Sequence, residues 1–183
     1  MLIMKLIRLV EGSGRRPADS GAETETVRKI VQALDRIEPD RARFMAAFAY
    51  LLGRVASADS KVSDDEVQAI ERLIVERCRI EPAQAILVVQ MAKTQNLLFG
   101  GTENFLVARE FGQIATREQS LGLLECLFAV AAADGSISVV EDNEIRRISN
   151  ELRLTHEEFI QARSDYRDYL AVLRTRRPDP PPR

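Results

Sequence analysis

A stretch of sequence occurs twice in this chain, with the two copies 75 positions apart. Residues 51–73 and 126–148 align without a gap and share nine identities in 23 positions. Each copy carries an aspartate, a serine four residues later and a glutamate three residues after that: Asp59, Ser63 and Glu66, then Asp134, Ser138 and Glu141. The chain is therefore expected to contain two related structural units, and the repeated turn is the first candidate for a functional part.

The spacing of apolar residues predicts α-helices throughout. Val67, Ile70, Ile74 and Cys78 recur at steps of three and four, and no segment alternates in the way of a β-strand. The predicted helices cover residues 22–37, 40–57, 64–79, 82–98, 103–114, 117–133, 139–152 and 156–173. The expected fold is all-α: a compact domain of about seven to eight helices, built from two pseudo-symmetric helix–turn–helix repeats.

Four of these helices begin with the capping-box pattern, in which Ser or Thr is followed three residues later by Glu or Gln. The pairs are Ser63/Glu66, Thr116/Gln119, Ser138/Glu141 and Thr155/Glu158. In such a box the acid bonds back to the backbone of the first residue and also lies at the favourable end of the helix dipole. Capping alone thus accounts for the two repeated glutamates, and Asp59 and Asp134 have an equally local role as acceptors within their turns.

Glycine and proline divide the chain into segments. Residues 1–21 form a short amphipathic stretch and a Gly-rich joint, residues 22–173 form the helical domain, and residues 174–183 are a Pro- and Arg-rich tail expected to be disordered. Within the domain, the two glycines at 100–101 are expected to break the chain between repeat halves of about 40–98 and 103–173.

The second copy of the repeat resembles a known family. Its pattern is Ala-Asp-Gly-x-Ile-Ser-x-x-Glu over residues 133–141, preceded by a helix rich in small residues and followed by Ile145 and Ile148. This pattern is similar to the TerB-like tellurite-resistance family, over about residues 44–170, and the first copy departs from it at Ser60. The resemblance implies an all-helical fold, acidic residues that bind a metal ion, and a role in a bacterial stress or tellurite-type response. Similar modules precede J-domains in co-chaperones, but this chain has no His-Pro-Asp triplet.

The four acids of the two turns, Asp59, Glu66, Asp134 and Glu141, are the candidate metal ligands. If the repeats pack about a pseudo-twofold axis, the two turns approach each other and bring these carboxylates into one cluster. Hard oxygen ligands of this kind suit Ca²⁺, Mg²⁺ or Mn²⁺. The spacing does not fit an EF-hand, because Asp to Glu spans eight positions where that loop needs about twelve.

Composition excludes several other classes. A net charge of −2 gives no reason to expect a nucleic-acid partner, and no apolar run is long enough to predict stable insertion in a membrane. Cys78 and Cys126 are isolated in the sequence and are expected to be free thiols, as in the reducing cytoplasm. The single histidine, His156, has no nucleophile motif beside it, so the chain is not expected to be an enzyme.

Two functions of different class remain open at this point. One is a non-enzymatic, cation-responsive TerB-like binding module, and the other is an ion-free protein–protein interaction domain or co-chaperone-like adaptor. Both imply a protein partner that the sequence does not name. Residues 1–10 carry apolar side chains at helical spacing, and docking of that stretch between two chains would give a homodimer as the simplest closed assembly.

Overall fold

Helix α1 (Pro39–Ala56) lies at the centre of the domain, and most of its side chains are buried. The computed structural model describes residues 38–59 and 62–174, and within the helices it leaves the side chains of residues 99–101 and 174 undescribed. The other helices of the described part are α2 (Asp64–Cys78), α3 (Pro82–Ile114), α4 (Arg117–Ala131), α5 (Val139–Glu151), α6 (His156–Ser164), a 3₁₀ helix (Arg167–Tyr169) and α7 (Ala171–Arg174). The expectations for residues 1–21, for the helix at 22–37 and for the tail beyond residue 174 lie outside the described residues.

The core is built around the apolar faces of α1 and α4. Helix α1 contacts α2, α3, α4 and α5, and its residues Leu51, Leu52 and Val55 are fully buried. Phe44 and Phe48 of α1 pack against Phe111 of α3, with ring centroids 5.2 and 6.4 Å apart. The all-α fold predicted from the sequence is confirmed. No β-strand is present in the part of the chain that the structure describes, and two residues there, Ile137 and Leu170, form an isolated parallel bridge.

Outside residues 60–61, the two copies of the repeated sequence share local features. Helices α1 and α2 flank the first turn, and helices α4 and α5 flank the second. The backbone hydrogen bonds that end the leading helices match residue for residue: the amides of Ser57 and Ala132 both bond a carbonyl four residues back, at 3.0 Å. A pseudo-twofold relation between the complete halves stays a prediction.

The break predicted at Gly100-Gly101 is wrong, because α3 is one continuous helix of 33 residues. A glycine in a helix costs about 1 kcal/mol relative to alanine, which tertiary packing readily overrides. Contacts with α1 hold α3 on both sides of the glycines. On one side the Asn96 amide donates to the Tyr50 carbonyl at 2.9 Å, and on the other the Tyr50 hydroxyl donates to Asn104 Oδ1 at 3.0 Å.

The helix predicted over 156–173 is also shorter than expected. Helix α6 ends at Ser164, and the chain then turns so that Leu170 is buried beside the second repeated turn. The Ile137 amide donates to the Tyr169 carbonyl at 2.8 Å, and the Ala171 amide donates to the Ile137 carbonyl at 2.9 Å. We call residues 166–171 the strap. Phe159, Tyr166 and Leu170 are spaced as in an α-helix. The chain nevertheless reaches Leu170 through a turn and a short 3₁₀ helix and not through a continuous α-helix.

Gly135 is the residue of the second turn whose conformation restricts its identity. Its φ is +91°, in the region that residues with a Cβ rarely adopt. A Cβ at Gly135 would meet no atom within 4 Å, so backbone strain alone should decide the effect of a substitution. We expect Gly135→Ala to lower the free energy of unfolding by roughly 1–2 kcal/mol.

Chemical denaturation of Gly135→Ala tests this expectation, and a substitution at Gly122 is the matched control. Gly122 lies inside α4, and the atom nearest to a Cβ there is Arg77 Nη1 at 4.0 Å. Gly122→Ala should therefore raise stability by about 1 kcal/mol, the difference in helix propensity. Equal effects of the two substitutions would contradict the assignment of strain to Gly135.

Candidate functional site

The first repeated turn places Glu66 in a capping box at the start of α2. The Ser63 amide donates to Glu66 Oε2 at 2.7 Å, and the Glu66 amide donates to Ser63 Oγ at 3.1 Å. The Glu66 side chain is nearly inaccessible, with 3% of its surface exposed. Asp59, at the end of the described segment before this turn, is partly buried.

The second turn reproduces this arrangement at the start of α5. The Ser138 amide donates to Glu141 Oε2 at 2.8 Å, and the Glu141 amide donates to Ser138 Oγ at 3.2 Å. Asp134 Oδ1 accepts the Ser136 amide at 3.0 Å and so closes the turn. The other two predicted capping boxes, at Thr116 and Thr155, are present as well. The structural explanation of the repeated serines and glutamates is therefore confirmed.

Ile137 anchors the second turn to the core. Its side chain is 1% exposed, and both its backbone amide and its carbonyl bond to the strap. Tyr166 of the strap stacks on Phe128, with ring centroids 5.6 Å apart, and this contact fixes the strap against α4. Val62, the equivalent of Ile137 in the first turn, is only partly buried.

The two capping glutamates lie next to each other. Burial raises the pKa of Glu66, while hydrogen bonds with Ser63 and with the Glu141 side chain act to lower it. Burial raises the pKa of Glu141 to about 7, bonds from Ser138 oppose this rise, and the charges of Glu66 and Asp59 add to it. Burial thus disfavours the ionised form of both carboxyl groups.

Each aspartate raises the pKa of the glutamate in the other turn. Asp134 of the second turn raises the pKa of Glu66 in the first, and Asp59 of the first turn raises the pKa of Glu141 in the second. All four predicted ligands are therefore electrostatically coupled across the two turns. Within the described residues, however, no group of three or more His, Cys, Asp or Glu side chains is arranged to hold a metal ion. One oxygen of each glutamate is already engaged in its capping box, and the metal site stays a prediction.

Glu66 and Glu141 differ from the other buried acids in having no cationic partner. Among residues 38–59 and 62–174, no lysine or arginine forms an ion pair with either of them. By contrast, Asp142 is held by Arg163, with a bond of 2.8 Å, and Glu144 and Glu151 are held by Arg54. Two buried carboxyl groups in contact therefore face each other without a compensating charge from this part of the protein.

Asp142 and Glu144, two further acids at the start of α5, are bonded to arginines. Arg163 bonds both oxygens of Asp142, at 2.8 and 2.9 Å. Glu144 accepts from Arg54 at 2.5 Å and from Arg147 at 2.7 Å. Asp64 and Asp65 of the first turn are exposed.

Sequence reasoning also missed the role of Arg54, whose side chain is 3% exposed. The guanidinium bonds Glu144, both oxygens of Glu151 at 2.7 and 3.2 Å, and the Asn104 carbonyl. The available signal was the presence of this charged residue inside the otherwise apolar run of residues 44–58.

The remaining reactive side chains are not activated. Cys78 and Cys126 are both free and buried, as expected, and burial raises the pKa of each thiol to about 11. His156 is exposed in the first turn of α6, where the sequence placed it. No helix in the described ranges has both the length and the apolar character needed to cross a membrane.

Among the comparisons with known proteins, the one with family models gives a match. A family model described as tellurite resistance protein TerB matches residues 44–164, which include most of α1, all of α2 to α6 and all four candidate acids. No curated protein and no solved structure matches the chain. Because the family match covers about two thirds of its length, the chain belongs to the TerB tellurite resistance family.

Proposed function

We propose that this chain is a non-enzymatic binding module whose state depends on a divalent cation, acting in a bacterial stress or tellurite-type response. The observation that carries the proposal is the contact between Glu66 and Glu141, two buried carboxyl groups with no arginine or lysine partner among the described residues. Family membership supports the tellurite-type setting.

The physical argument concerns what compensates these charges. Burying one carboxylate is unfavourable, and burying two next to each other is more so, because their negative charges repel. A proton on Glu141 relieves the repulsion at low pH. A divalent cation would relieve it at higher pH, with Asp59 and Asp134 supplying additional oxygens from the opposite turns. Carboxylate oxygens favour Ca²⁺, Mg²⁺ or Mn²⁺ over softer metals.

Three features support a binding rather than a catalytic role. The capping boxes hold Glu66 and Glu141 in fixed positions, both thiols have a raised pKa, and the histidine is exposed away from any nucleophile motif. The buried free thiols also fit the proposed cytoplasmic location.

The alternative is an ion-free interaction domain, which the capping boxes favour because they already give each glutamate two hydrogen-bonding partners. The two proposals differ in one measurable property. A cation that binds only the folded state raises stability with the logarithm of its concentration, by about 2.7 kcal/mol at one hundred times its dissociation constant.

Thermal unfolding in the presence of Ca²⁺, Mg²⁺ or Mn²⁺ tests the proposal. We expect the wild-type chain to gain stability with at least one of these ions and Asp134→Asn to lose that gain. Asparagine keeps the oxygen that accepts the Ser136 amide, so the turn itself should remain closed. Asp165→Asn, which removes an exposed carboxylate at the end of α6, is the control and should respond like the wild type. If none of the three ions changes wild-type unfolding at millimolar concentration, the ion-free alternative replaces this proposal.

A further inference from the structure

A polar cleft of about 400 Å³ opens between α3 and α5, with the end of α1 as its floor. Ser57 and Ala58, which lead into the first repeated turn, form part of the floor, and Val140 of α5 lies at one end. The α3 wall carries Asn96 and Asn104, and the α5 wall carries Asn143 and Arg147. None of these residues is one of the four candidate acids of the two turns.

Arg147 is the charged group that the cleft presents to solvent. Its side chain is 64% exposed, and one nitrogen donates to Glu144 at 2.7 Å. Glu144 is itself fixed by the buried Arg54 at 2.5 Å. The guanidinium of Arg147 is thus positioned by a buried neighbour but retains most of its N–H groups for a ligand.

The asparagines leave polar groups free along both walls. The Asn143 side chain makes no hydrogen bond with any described residue. Asn104 uses its Oδ1 to accept from Tyr50, which leaves its amide N–H groups without a described partner. Asn96 donates to two carbonyls, and its own oxygen has no described donor. The cleft therefore offers both donors and acceptors at fixed positions.

We propose that this cleft binds a short extended segment of a partner protein, with an acidic side chain of that segment paired to Arg147 and its backbone bonded to the asparagines. The inference rests on the proposed binding function and names the chemistry of the partner. Asn96 and Asn104 are about 12 Å apart along α3, and Val140 and Arg147 about 10 Å apart along α5, at 1.5 Å per residue. An extended chain at about 3.3 Å per residue places three to four residues over that length.

Charge and shape select an acidic peptide over other ligands. Arg54 lies between the carboxylates of Glu144 and Glu151, which are 11% and 12% exposed, so Arg147, at 64%, is the charged group that the lining exposes to a ligand. Side-chain amides bond peptide N–H and C=O groups equally well, which suits an extended backbone. Val140 is half exposed and offers an apolar contact about three residues from the position of the acid.

Selection from a library of short random peptides, with the full chain immobilised and a chelator present, tests this inference. The chelator separates peptide binding from any cation effect, so the two proposals fail independently. We expect enrichment of peptides that contain Asp or Glu, and binding of a selected peptide should weaken about tenfold or more in Arg147→Ala, from loss of charge-assisted hydrogen bonds.

Arg146→Ala is the matched control, because it removes the same charge one residue away. Arg146 stacks on the ring of Phe159, outside the cleft. Retention of peptide binding in Arg146→Ala, together with its loss in Arg147→Ala, would support the assignment. The proposal is overturned if no peptide is enriched, if enriched peptides show no excess of acidic residues, or if both variants bind equally.

Discussion

Replacing Glu141 by glutamine should raise the free energy of unfolding of the ion-free protein at pH 8, by as much as about 3 kcal/mol. The pKa of Glu141 is about 7 in the folded protein and near 4.5 in the unfolded chain. Between pH 4.5 and 7 the folded state therefore binds a proton that the unfolded chain has lost. The stability that this proton contributes is complete below pH 4.5 and is lost as the pH rises through 7. Each unit of difference between the two pKa values corresponds to about 1.4 kcal/mol in the free energy of unfolding. Glutamine stays neutral and still has an oxygen for the Ser138 amide.

Denaturant unfolding from pH 5 to pH 8.5 measures the effect, and Glu158→Gln is the matched control. Glu158 occupies the same capping position in α6, but bonds from Thr155 and Arg117 lower its pKa. Its neutralisation should therefore bring no gain at high pH. A stability difference between wild type and Glu141→Gln that stays constant across this pH range would refute the proposed protonation of Glu141.

The second large effect is expected at Arg54. Arg54→Leu should lower the free energy of unfolding by roughly 3–5 kcal/mol, because it leaves Glu151 without its ion pair and Glu144 with only the exposed Arg147, although these carboxylates are 12% and 11% exposed. Arg43→Leu is the control: its pair with Glu110 is about 40% exposed on both sides and should contribute at most about 1 kcal/mol.

A combined variant identifies the cause of the loss. Adding Glu144→Gln and Glu151→Gln to Arg54→Leu removes the unpaired charges and should recover part of the stability. If Arg54→Leu costs no more than Arg43→Leu in denaturant unfolding, the buried network does not contribute in the way its geometry indicates.

The features predicted correctly from the sequence are those determined within a few residues. Ser138 and Glu141 are three positions apart, and their capping box forms wherever a helix begins at that point. The turn at Gly135 likewise depends on its own backbone. The break at Gly100-Gly101 was wrong because contacts from α1, about 50 positions away, keep α3 continuous. The helix propensity of these two glycines contains no information about such contacts.

The candidate site shows the same limit. Repetition and spacing identified Asp59, Glu66, Asp134 and Glu141, and the structure couples them electrostatically across the two turns. Local sequence does not distinguish these acids from Asp142 and Glu144, because that distinction depends on where Arg163 and Arg54 lie after folding. Arginine partners 21 and 90 positions away are outside the reach of local pattern.

Because of the strap, the contacts of the two repeated turns become possible at different points during translation. The first turn has its capping contacts as soon as α2 is made, because Ser63 and Glu66 are neighbours in sequence. The second turn also needs Tyr169 and Ala171 to bond Ile137, and these residues are translated after α6. Because the chain is made from its N-terminus, the bonds that hold Ile137 to the strap can form only after Ala171 has been added, whereas those between Ser63 and Glu66 need no residue beyond α2.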